Sequence, residues 1–567
     1  MAAAITTRLG NILKQTGLLT DSQIEDLVKS KRTDGQSVPE LAVNKGFAKE
    51  DALLEALARS LNIQFLRLDA RIIEQSVLES LPPKVVFQYN VIPLALENGS
   101  LLVATHDPFN AEIVDALRLA AGMRVRIALS PLADIKRAGK KFYGIGAETV
   151  EKMIEDDRIE VDLSETLLKT DLNELDQETS IVKFVNQVIW EAYNESATDI
   201  HLEPMEDSLR VRYRIDGILH QTPLPPQLNR FQAAIISRIK VMANMNIAEK
   251  RLPQDGRIGI RIQGEDLDIR VSTMPTVYGE SVSLRLLMRG KGLVTLAELG
   301  MNAHDAGIIT TLINRPSGII LVTGPTGCGK STSLYAYLHE INRIDQRILT
   351  IEDPIEYEMP GVNQVQLRDE IGLTFASALR SFLRQDPDVL MVGEIRDLET
   401  AEIAIRASLT GHLVFSTLHT NDAPGAVTRL LDMGVEPFLV ASSLKAVVAQ
   451  RLVRRLCQDC RRPFVPGIDI LTGAKLPTEV PAGSTIYESA GCEKCHRTGY
   501  KGRSGIYEVL RITEELEPVI VTREPTSKIK QKAVSLGMRT LREDGWNKVL
   551  GGFTTIDEIV SVSEEDT

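Results

Sequence analysis

Residues Gly318–Leu334 read GIILVTGPTGCGKSTSL, an apolar run that leads into a glycine-rich turn and then into a segment suited to a helix. Gly324, four further residues and then Gly329, Lys330 and Ser331 satisfy the pattern G-x-x-x-x-G-K-[ST]. Backbone N–H groups without side chains around them can wrap phosphates, the lysine can reach the β- and γ-phosphates, and the serine hydroxyl can hold Mg²⁺. The dipole of the following helix adds to the attraction. The stretch therefore predicts a phosphate-binding loop rather than a glycine-rich turn with no ligand.

Strands and helices alternate in the region after Leu299, as an α/β nucleotide-binding domain requires. We predict four short apolar strands, at Ile319–Thr323, Ile348–Glu352, Val389–Gly393 and Leu413–Leu418. Ligands of open α/β sheets bind at the carboxyl ends of the strands. The four strand ends should therefore converge on one site.

Carboxylates and histidines stand at these predicted strand ends. Glu352 and Asp353 end the second strand, Glu394 follows the third, and His412 and His419 bracket the fourth. Hydrolysis of a γ-phosphate needs one carboxylate that orients or deprotonates water and another that holds Mg²⁺, directly or through water. A histidine near the γ-phosphate can report whether it is present. Singly, each residue is typical of a surface or a helix cap, but together they predict a hydrolytic site.

Four of the five cysteines form two C-x-x-C pairs, namely Cys457 with Cys460 and Cys492 with Cys495. This spacing is typical of a tetrahedral Zn²⁺ site with four thiolate ligands. Because all four ligands come from protein and leave no open position, we interpret the metal as structural. The alternative is a set of buried thiols without metal.

The fifth cysteine, Cys328, lies inside the phosphate loop and has no partner pattern. We interpret it as a small residue that the loop tolerates. A further hypothesis is that amides of the helix start lower its pKa and make the activity sensitive to oxidants.

Composition limits the class of protein. With 567 residues, of which 43% are hydrophobic, the chain is long enough for several globular domains. No run approaches the roughly eighteen apolar residues of a membrane span, and the opening MAAAITTRLG lacks the architecture of a secretory signal. The C-x-x-C pairs fit metal ligation in a reducing compartment. We therefore expect a cytoplasmic protein.

The net charge of −12 is concentrated in one stretch. Residues Glu148–Glu178 hold twelve acidic and three basic residues, which leaves a charge of −3 for the rest of the chain. This balance argues against a generally basic surface for nucleic acid. The stretch has little aromatic content and is typical of a solvated, extended linker, which we place at 147–178.

The region before the acidic stretch has two parts. A degenerate repeat with an offset of twenty-nine residues puts Gly17 and Gly46 where helices would end, and predicts a helical unit at 1–60. Residues 61–146 mix short strands with helices and predict an α+β domain.

A meandering sheet with helices is predicted after the linker, at 179–290. Leu209–Ile215 reads LRVRYRI, and its strict alternation puts Arg210, Arg212 and Arg214 on one face, either solvated or available for phosphate. Dipeptides that read as hairpin turns are Asp216-Gly217, Asp255-Gly256 and Gly264-Glu265. The remaining boundaries that we predict are an α/β core at 291–456, a tetracysteine module at 457–502 and a C-terminal helical region at 503–567.

Four stretches occur in one order: GPTGCGKSTSLY, ILTIEDPIEY, LRQDPDVLMVGEIRDLETAEIA and SLTGHLVFSTLHTNDA. They resemble the Walker A, Asp, Walker B and His boxes of the GspE/PulE/PilB family of type II secretion and type IV pilus assembly ATPases. DIHLEP, RYRIDG and AEKRLPQDGR resemble the middle domain of that family, and the cysteine pairs resemble its zinc module. The resemblance implies a multidomain α/β protein: a RecA-like P-loop ATPase domain preceded by a PAS-like α+β middle domain, an α+β N-terminal domain with a helical start, and a zinc-binding insert.

The resemblance also implies an ATP hydrolase that uses ATP, Mg²⁺ and Zn²⁺. The implied catalytic residues are Lys330, Glu352, Glu394, His412 and His419, together with Arg257 and Arg270 of the middle domain. The implied nucleotide-binding residues are Gly324, Pro325, Thr326, Gly327, Cys328, Gly329, Lys330, Ser331, Thr332 and Asp353. The implied metal ligands are Ser331 for magnesium and Cys457, Cys460, Cys492 and Cys495 for zinc.

The partners that the resemblance implies are other copies of the chain in a homohexamer, an inner-membrane platform protein and a cytoplasmic or membrane-anchored docking protein, with an indirect action on pilin-like subunits. Some N-terminal domains of the family bind cyclic di-GMP through two motifs that open RLG and close on Gln. Here Arg8-Leu9-Gly10 matches, but Lys31 and Ser60 stand at the closing positions and the second copy opens Ser37-Val38-Pro39. A docking domain is therefore the preferred interpretation.

Two other classes of protein stay open at this point. Five arginines cluster around the first cysteine pair, namely Arg451, Arg454, Arg455, Arg461 and Arg462. A nucleic-acid-translocating ATPase would show such a cluster. The other class is a scaffold that binds ATP without turnover, and the presence of both Glu352 and Glu394 argues against it.

Overall fold

The computed structural model describes residues 11–34, 37–68, 71–144, 180–288, 294–476 and 485–563. The predicted linker at 147–178 and the RLG segment lie outside the described residues, and so does the side chain of Lys31. The chain divides into two units, Met1–Leu287 and Met288–Thr567, which are described in turn.

Helices open the first unit. They lie at 11–15, α1 (Asp21–Asp34), α2 (Val38–Asn44) and α3 (Glu50–Leu61). Gly17 and Gly46 follow helix ends, as the repeat predicts. Leu27, Leu53 and Leu57 are fully buried in the apolar core between these helices. The predicted helical start is therefore confirmed.

A three-stranded sheet with helices comes next. Its elements are α4 (Gln75–Leu78), α5 (Pro83–Tyr89), β1 (Val91–Glu97), β2 (Ser100–Thr105), α6 (Ala111–Ala121), β3 (Arg124–Leu129) and α7 (Leu132–Tyr143). The strand order is β1-β2-β3, with β1 antiparallel and β3 parallel to β2. The mixture of strands and helices confirms the α+β prediction for this part of the chain.

The last part of the first unit is a six-stranded sheet with two helices. The elements are α8 (Ser180–Asn194), β4 (Asp199–Pro204), β5 (Leu209–Ile215), β6 (Ile218–Thr222), α9 (Gln232–Met242), β7 (Gln254–Ile262), β8 (Glu265–Thr276) and β9 (Gly279–Met288). The strand order is β6-β5-β4-β9-β8-β7. Phe184 of α8, Ile200 of β4 and Ile235 of α9 are fully buried, so apolar residues of the sheet and the helices form its core.

The three arginines of β5 bind partners within this sheet. Arg210 and Arg212 both donate to the carboxylate of Glu203 on the neighbouring strand, at 2.8 and 2.5 Å. Arg214 donates to the carbonyl oxygen of Gly217 at 2.8 Å. These contacts are two cross-strand ion pairs and one contact within a turn. The three arginines therefore have partners within the sheet, and no phosphate is needed to account for them.

One predicted turn is wrong. Asp216-Gly217 lies between β5 and β6, and Gly264 lies between β7 and β8 with Glu265 as the first residue of β8, but Asp255-Gly256 lies inside β7. A Cβ atom on Gly256 would lie 2.4 Å from the carbonyl oxygen of Ala243, at the end of α9. The glycine is therefore needed because the end of the helix lies so close to the strand. A rule for local turns does not detect such a contact.

The second unit contains a seven-stranded sheet in the order β12-β11-β13-β14-β10-β15-β18. Its strands are β10 (Gly318–Thr323), β11 (Ile348–Glu352), β12 (Val362–Gln366), β13 (Val389–Val392), β14 (Leu413–Leu418), β15 (Leu444–Leu456) and β18 (Tyr500–Arg511). The pairings are parallel except for the antiparallel pairing of β15 with β18. All four predicted strands are present, and they lie side by side in the sheet.

Helices cover both faces of this sheet. They are α10 (Ala303–Ile313), α11 (Lys330–Ile341), α12 (Phe375–Phe382), α13 (Leu398–Leu409), α14 (Ala423–Asp432) and α15 (Pro437–Ser443). Ile319 and Leu321 of β10 belong to one apolar core, and Ile320 and Val322 belong to the other. A parallel strand buried on both faces reads as the continuous apolar run seen in the sequence.

The C-terminal region departs from the prediction. Residues 503–511, predicted to be helical, belong to β18, because this segment pairs with β15 along the edge of the main sheet. Helices follow only afterwards, as α17 (Glu517–Val521), α18 (Thr526–Ser535), α19 (Leu541–Leu550) and α20 (Ile556–Ser563). Between β15 and β18 lie β16 (Arg462–Phe464), α16 (Ile468–Gly473) and β17 (Ile486–Glu488). Within the described ranges, every helix is too short or too polar to cross a bilayer.

We predict that Gly256→Ala destabilises the chain by about 1–3 kcal/mol, because the new methyl group overlaps the Ala243 carbonyl oxygen. Gly259→Ala is the matched control on the same strand, since nothing lies within 4 Å of its added Cβ. Urea unfolding of the two variants measures the difference. Equal unfolding midpoints would contradict the close approach.

Candidate active site and zinc centre

The phosphate loop leaves the sheet at the end of β10. Gly324 has a φ angle of 146°, and a Cβ atom there would lie 2.6 Å from both the Sγ atom of Cys328 and the backbone oxygen of Gln450. Only glycine fits this close approach. Gly329 is the N-cap of α11, and as a glycine it has no side chain that could accept from the N–H groups of the first helical turn.

Lys330, the first residue of α11, folds back over the loop. Its Nζ atom donates to the carbonyl oxygens of Gly324 at 2.8 Å and Pro325 at 3.2 Å. Burial lowers the pKa of Lys330, while the nearby charge of Glu394 acts in the opposite direction. A desolvated ammonium group next to unshielded amides is suited to a phosphate.

Glu352, the last residue of β11, is buried, with 4% of its surface exposed. Its Oε1 atom accepts from the Thr350 hydroxyl at 2.7 Å and from the Gln364 amide at 3.1 Å. Its Oε2 atom accepts from the Tyr335 hydroxyl. The carboxylate is therefore fixed by neutral donors from three elements, β11, β12 and α11.

Glu394 follows β13 by two residues, and its partners are the side chains of Arg396 and His419. Its Oε1 atom accepts from Arg396, and its Oε2 atom accepts from Nε2 of His419 at 3.0 Å. Arg396 also donates to Asp353 at 3.2 Å. A chain of hydrogen-bonded side chains thus runs from Asp353, after β11, to His419, after β14.

Hydrogen bonds also join the end of β10, just before the phosphate loop, to the segment after β14. The hydroxyl oxygens of Thr323 and Thr420 lie 2.7 Å apart, and the backbone N–H of Thr420 donates to the Thr323 hydroxyl at 2.9 Å. The structure therefore brings the predicted loop, Glu352, Asp353, Glu394 and His419 to one edge of the sheet.

His412 lies at the other end of the same strand. It precedes β14, whereas His419 follows it, and the strand between them separates their Cα atoms by about 20 Å. The Nδ1 atom of His412 donates to the carbonyl oxygen of Ala407 at 2.8 Å, which completes the end of α13. This placement does not support the predicted role of His412 as a γ-phosphate sensor in the same site.

Arg257 and Arg270 belong to the first unit. They stand directly opposite each other on β7 and β8. Their predicted contact with a nucleotide stays a prediction.

Cys328 does not have the environment of a reactive thiol. Burial raises the pKa of Cys328, and this effect outweighs the nearby charges of Lys330 and Arg451, which act to lower it. The hypothesis of a thiol activated by the helix start is therefore wrong in its stated form. Cys328 is a small buried residue that fills the space beside Gly324.

The four other cysteines form one cluster in the second unit, with all sulfur atoms within 4.8 Å of one another. The distances are 3.8 Å for Cys457–Cys492 and Cys460–Cys495 and 3.7 Å for Cys492–Cys495. Tetrahedral Zn²⁺ with Zn–S bonds of about 2.3 Å requires sulfur atoms about 3.8 Å apart. The donor set therefore fits a structural zinc ion.

Backbone groups support thiolate character in this cluster. The N–H groups of Cys492 and Gly499 donate to the Sγ atom of Cys495 at 3.1 and 3.3 Å. Burial raises the pKa of Cys495, but these hydrogen bonds and those with the thiols of Cys492 and Cys460 outweigh it and bring the pKa down to about 7, whereas burial raises the pKa of Cys457 and Cys460. A thiol that ionises near neutral pH is a ready metal ligand.

Most of the arginines around the first cysteine pair bind other residues of the chain. Arg451 is buried and donates to the carbonyl oxygens of Asn421 and Gln450. Arg454 binds Glu558, and Arg461 donates to the carbonyl oxygen of Gly552 at 2.7 Å. Arg455 and Arg462 are exposed.

Several residues of the site were not predicted from the sequence, namely Tyr335, Gln364, Arg396 and Thr420. Arg396 lies two residues after Glu394, in a stretch already assigned to the site, so its position was a usable signal. Tyr335 and Gln364 lie in a helix and an edge strand whose side-chain contacts depend on the assembled sheet. No sequence pattern indicated them.

A phosphate loop followed by carboxylates at the ends of neighbouring parallel strands defines a P-loop ATPase of the RecA-like class. Comparisons with known proteins narrow this class. A family described as Type II/IV secretion system protein matches residues 174–561, and an MshEN domain matches residues 61–149. The chain therefore belongs to the type II/IV secretion system protein family.

Relatives match along the whole chain. It is 40% identical over 564 residues to the type IV pilus assembly ATPase PilB of Myxococcus xanthus (strain DK1622), with 99% of each chain covered. It is also 40% identical over 565 residues to the type II secretion system protein E of Xanthomonas campestris pv. campestris, again with 99% of each chain covered. The solved ATPase DotB of Legionella pneumophila shares the fold, with 21% identity, a TM-score of 0.50 and coverage of 67% of this chain and 95% of that chain.

We predict that Cys460→Ser loses zinc, because a serine hydroxyl is a poor substitute for one of four thiolates. The second unit should then unfold at a lower temperature, while the affinity for ATP changes less. Zinc per chain, measured by mass spectrometry of the purified protein, tests this directly. Cys328→Ser is the control and should keep its zinc; full zinc content in Cys460→Ser would contradict the assignment.

Proposed function

We propose that the chain is a Mg²⁺-dependent ATPase motor that powers the assembly of pilin-like subunits in a type IV pilus or a type II secretion system. The observation that carries this proposal is the convergence of the phosphate loop, Glu352 and Glu394 at one edge of a parallel sheet. Relatives of equal identity are named for pilus assembly and for type II secretion. Both a type IV pilus and a type II secretion system are therefore candidate systems for this motor.

The residues of the site divide the work of hydrolysis. The amides of Gly324–Ser331 and the ammonium group of Lys330 bind the β- and γ-phosphates, and the Ser331 hydroxyl holds Mg²⁺. Mg²⁺, when bound, neutralises charge that develops on the phosphate oxygens. Glu352 would orient or deprotonate the attacking water, and Glu394 would hold the metal, directly or through water. His419, bonded to Glu394, lies where it can respond to the γ-phosphate.

The chain of hydrogen-bonded side chains between Asp353 and His419 suggests how the site responds to nucleotide. In the structure, Arg396 and His419 occupy both oxygens of Glu394. A triphosphate and Mg²⁺ compete for these same charges, so nucleotide binding would redistribute the ion pairs. We infer that this rearrangement of ion pairs couples nucleotide binding to the positions of the segments after β11, β13 and β14.

Assembly with other proteins is the part of the proposal that depends on the family. We infer a homohexamer in which Arg257 and Arg270, opposite each other on β7 and β8, approach a nucleotide of a neighbouring copy. The chain would act from the cytoplasm on an inner-membrane platform protein. Its N-terminal part would bind a cytoplasmic or membrane-anchored docking protein, and Lys31 and Ser60 argue against cyclic di-GMP as its ligand.

The zinc centre has a structural role in this proposal. Its four thiolates leave no open position for a substrate. The cluster joins the segment after β15 to the segment before β18, the two antiparallel strands at the sheet edge. Zinc would therefore hold this edge of the ATPase unit together.

The cluster of arginines gives the nucleic-acid alternative little support. Three of the five, Arg451, Arg454 and Arg461, bind oxygen atoms of the chain itself. Few cations are then left for phosphates of a nucleic acid, so we expect ATP hydrolysis to be unchanged by DNA at low salt.

We predict that Glu394→Ala lowers kcat for ATP at least about 100-fold but leaves ATP binding, because the loop that binds the phosphates is unchanged. Lys330→Ala, in contrast, should lose hydrolysis and weaken binding together. Phosphate release and the binding of a fluorescent ATP analogue separate the two effects. Normal turnover in Glu394→Ala would overturn the proposed site.

A further inference from the structure

Tyr335 connects the helix of the phosphate loop to the carboxylate at the end of β11. It lies on α11, five residues after Lys330, and is buried, with 2% of its surface exposed. Its ring meets the ring of Tyr357 edge-on, with centroids 5.5 Å apart and planes at 89°. The ring position is therefore set by packing, independently of the hydroxyl group.

The surroundings of the hydroxyl decide where its proton lies. The backbone N–H groups of Glu356 and Tyr357 donate to the Tyr335 oxygen at 3.2 and 3.4 Å. With two donors already on this oxygen, the hydroxyl hydrogen points to the remaining neighbour, the Oε2 atom of Glu352. Burial, and then the charge of Glu352, raises the pKa of Tyr335, so the phenol stays a donor over the physiological range.

Glu352 is thereby left with one free acceptor position. A carboxylate has about four lone-pair sites. Thr350 and Gln364 use two of them on Oε1, and Tyr335 uses one on Oε2. Within the described part of the chain, no lysine, arginine or histidine nitrogen lies within 4.0 Å of this carboxylate. Hydrogen bonds from neutral donors therefore stabilise the negative charge of Glu352 and fix the orientation of its carboxylate.

We propose that Tyr335 is a positioning residue for ATP hydrolysis, which fixes Glu352 so that the remaining lone pair of Oε2 receives the attacking water. The same hydroxyl ties Glu352 to the helix that begins with Lys330 and to the backbone of residues 356–357. Phosphate binding at the start of α11 and water activation at Glu352 are thus joined through one oxygen atom. This inference rests on the proposed role of Glu352 in hydrolysis.

Tyr335→Phe removes this oxygen and keeps the ring. We expect kcat to fall about 10-fold to 100-fold, because a Glu352 side chain that is not held in place orients the attacking water poorly. The KM for ATP should stay within about twofold, since the loop amides and Lys330 are unchanged. A loss of structure alone would instead lower the fraction of active protein and the number of ATP-binding sites, which titration with a nucleotide analogue measures.

Tyr337→Phe is the matched control. It removes a buried hydroxyl from the same helix, and among the described residues that hydroxyl has no hydrogen-bond partner. Its kcat should equal that of the unmodified chain. A similar fall in kcat for both variants would show a general effect on α11 and would overturn the inference.

Glu352→Gln, alone and combined with Tyr335→Phe, separates this inference from the function on which it rests. If Tyr335 acts through Glu352, the double variant hydrolyses ATP no more slowly than Glu352→Gln alone. Additive losses would overturn the positioning role while leaving Glu352 in the mechanism. Normal turnover in Glu352→Gln would remove Glu352 from the mechanism, and the role of Tyr335 with it.

Discussion

Parallel pairing of the central strands determines which residues meet at the site. Val322 of β10 lies opposite Thr417 of β14, and Ser416 of β14 lies opposite Val392 of β13. Val392 in turn lies opposite Ile351 of β11. All four strands therefore end at nearly the same level, and the segments that follow them carry the phosphate loop, the two glutamates and His419. A slip of one residue in any pairing would turn the side chains of that strand to the opposite face of the sheet.

The two glutamates differ in how the chain stabilises their charge. Glu394 accepts from His419 and from Arg396, a cation that a bound phosphate would also attract. Glu352 accepts only from neutral side chains, which a phosphate does not compete for. In the proposed function, Glu394 is therefore the carboxylate whose ion pair nucleotide would disturb, while the hydrogen bonds of Glu352 keep its direction. This division suits a motor, in which one part of the site must move and another must stay ready for hydrolysis.

Local patterns were sufficient for the strands, the phosphate loop and the cysteine cluster, because each depends on spacing within a few residues. They were insufficient where distant elements decide the outcome. Gly256 lies inside β7 because the end of α9 approaches it, and residues 503–511 form a strand because β15 is available to pair with them. Tyr335 joined the site for the same reason, since its contact with Glu352 requires both α11 and β11 in place.

The central claim is that the carboxyl edge of this sheet forms one ATP site. A cryo-electron microscopy map of the full chain with Mg²⁺ and a non-hydrolysable ATP analogue tests it most directly. We expect the triphosphate along the amides of Gly324–Ser331, with Glu352 and Glu394 facing the γ-phosphate and at least one oxygen of Glu394 released from Arg396 or His419. A triphosphate bound away from this loop, or both glutamates remote from the γ-phosphate, would contradict the account.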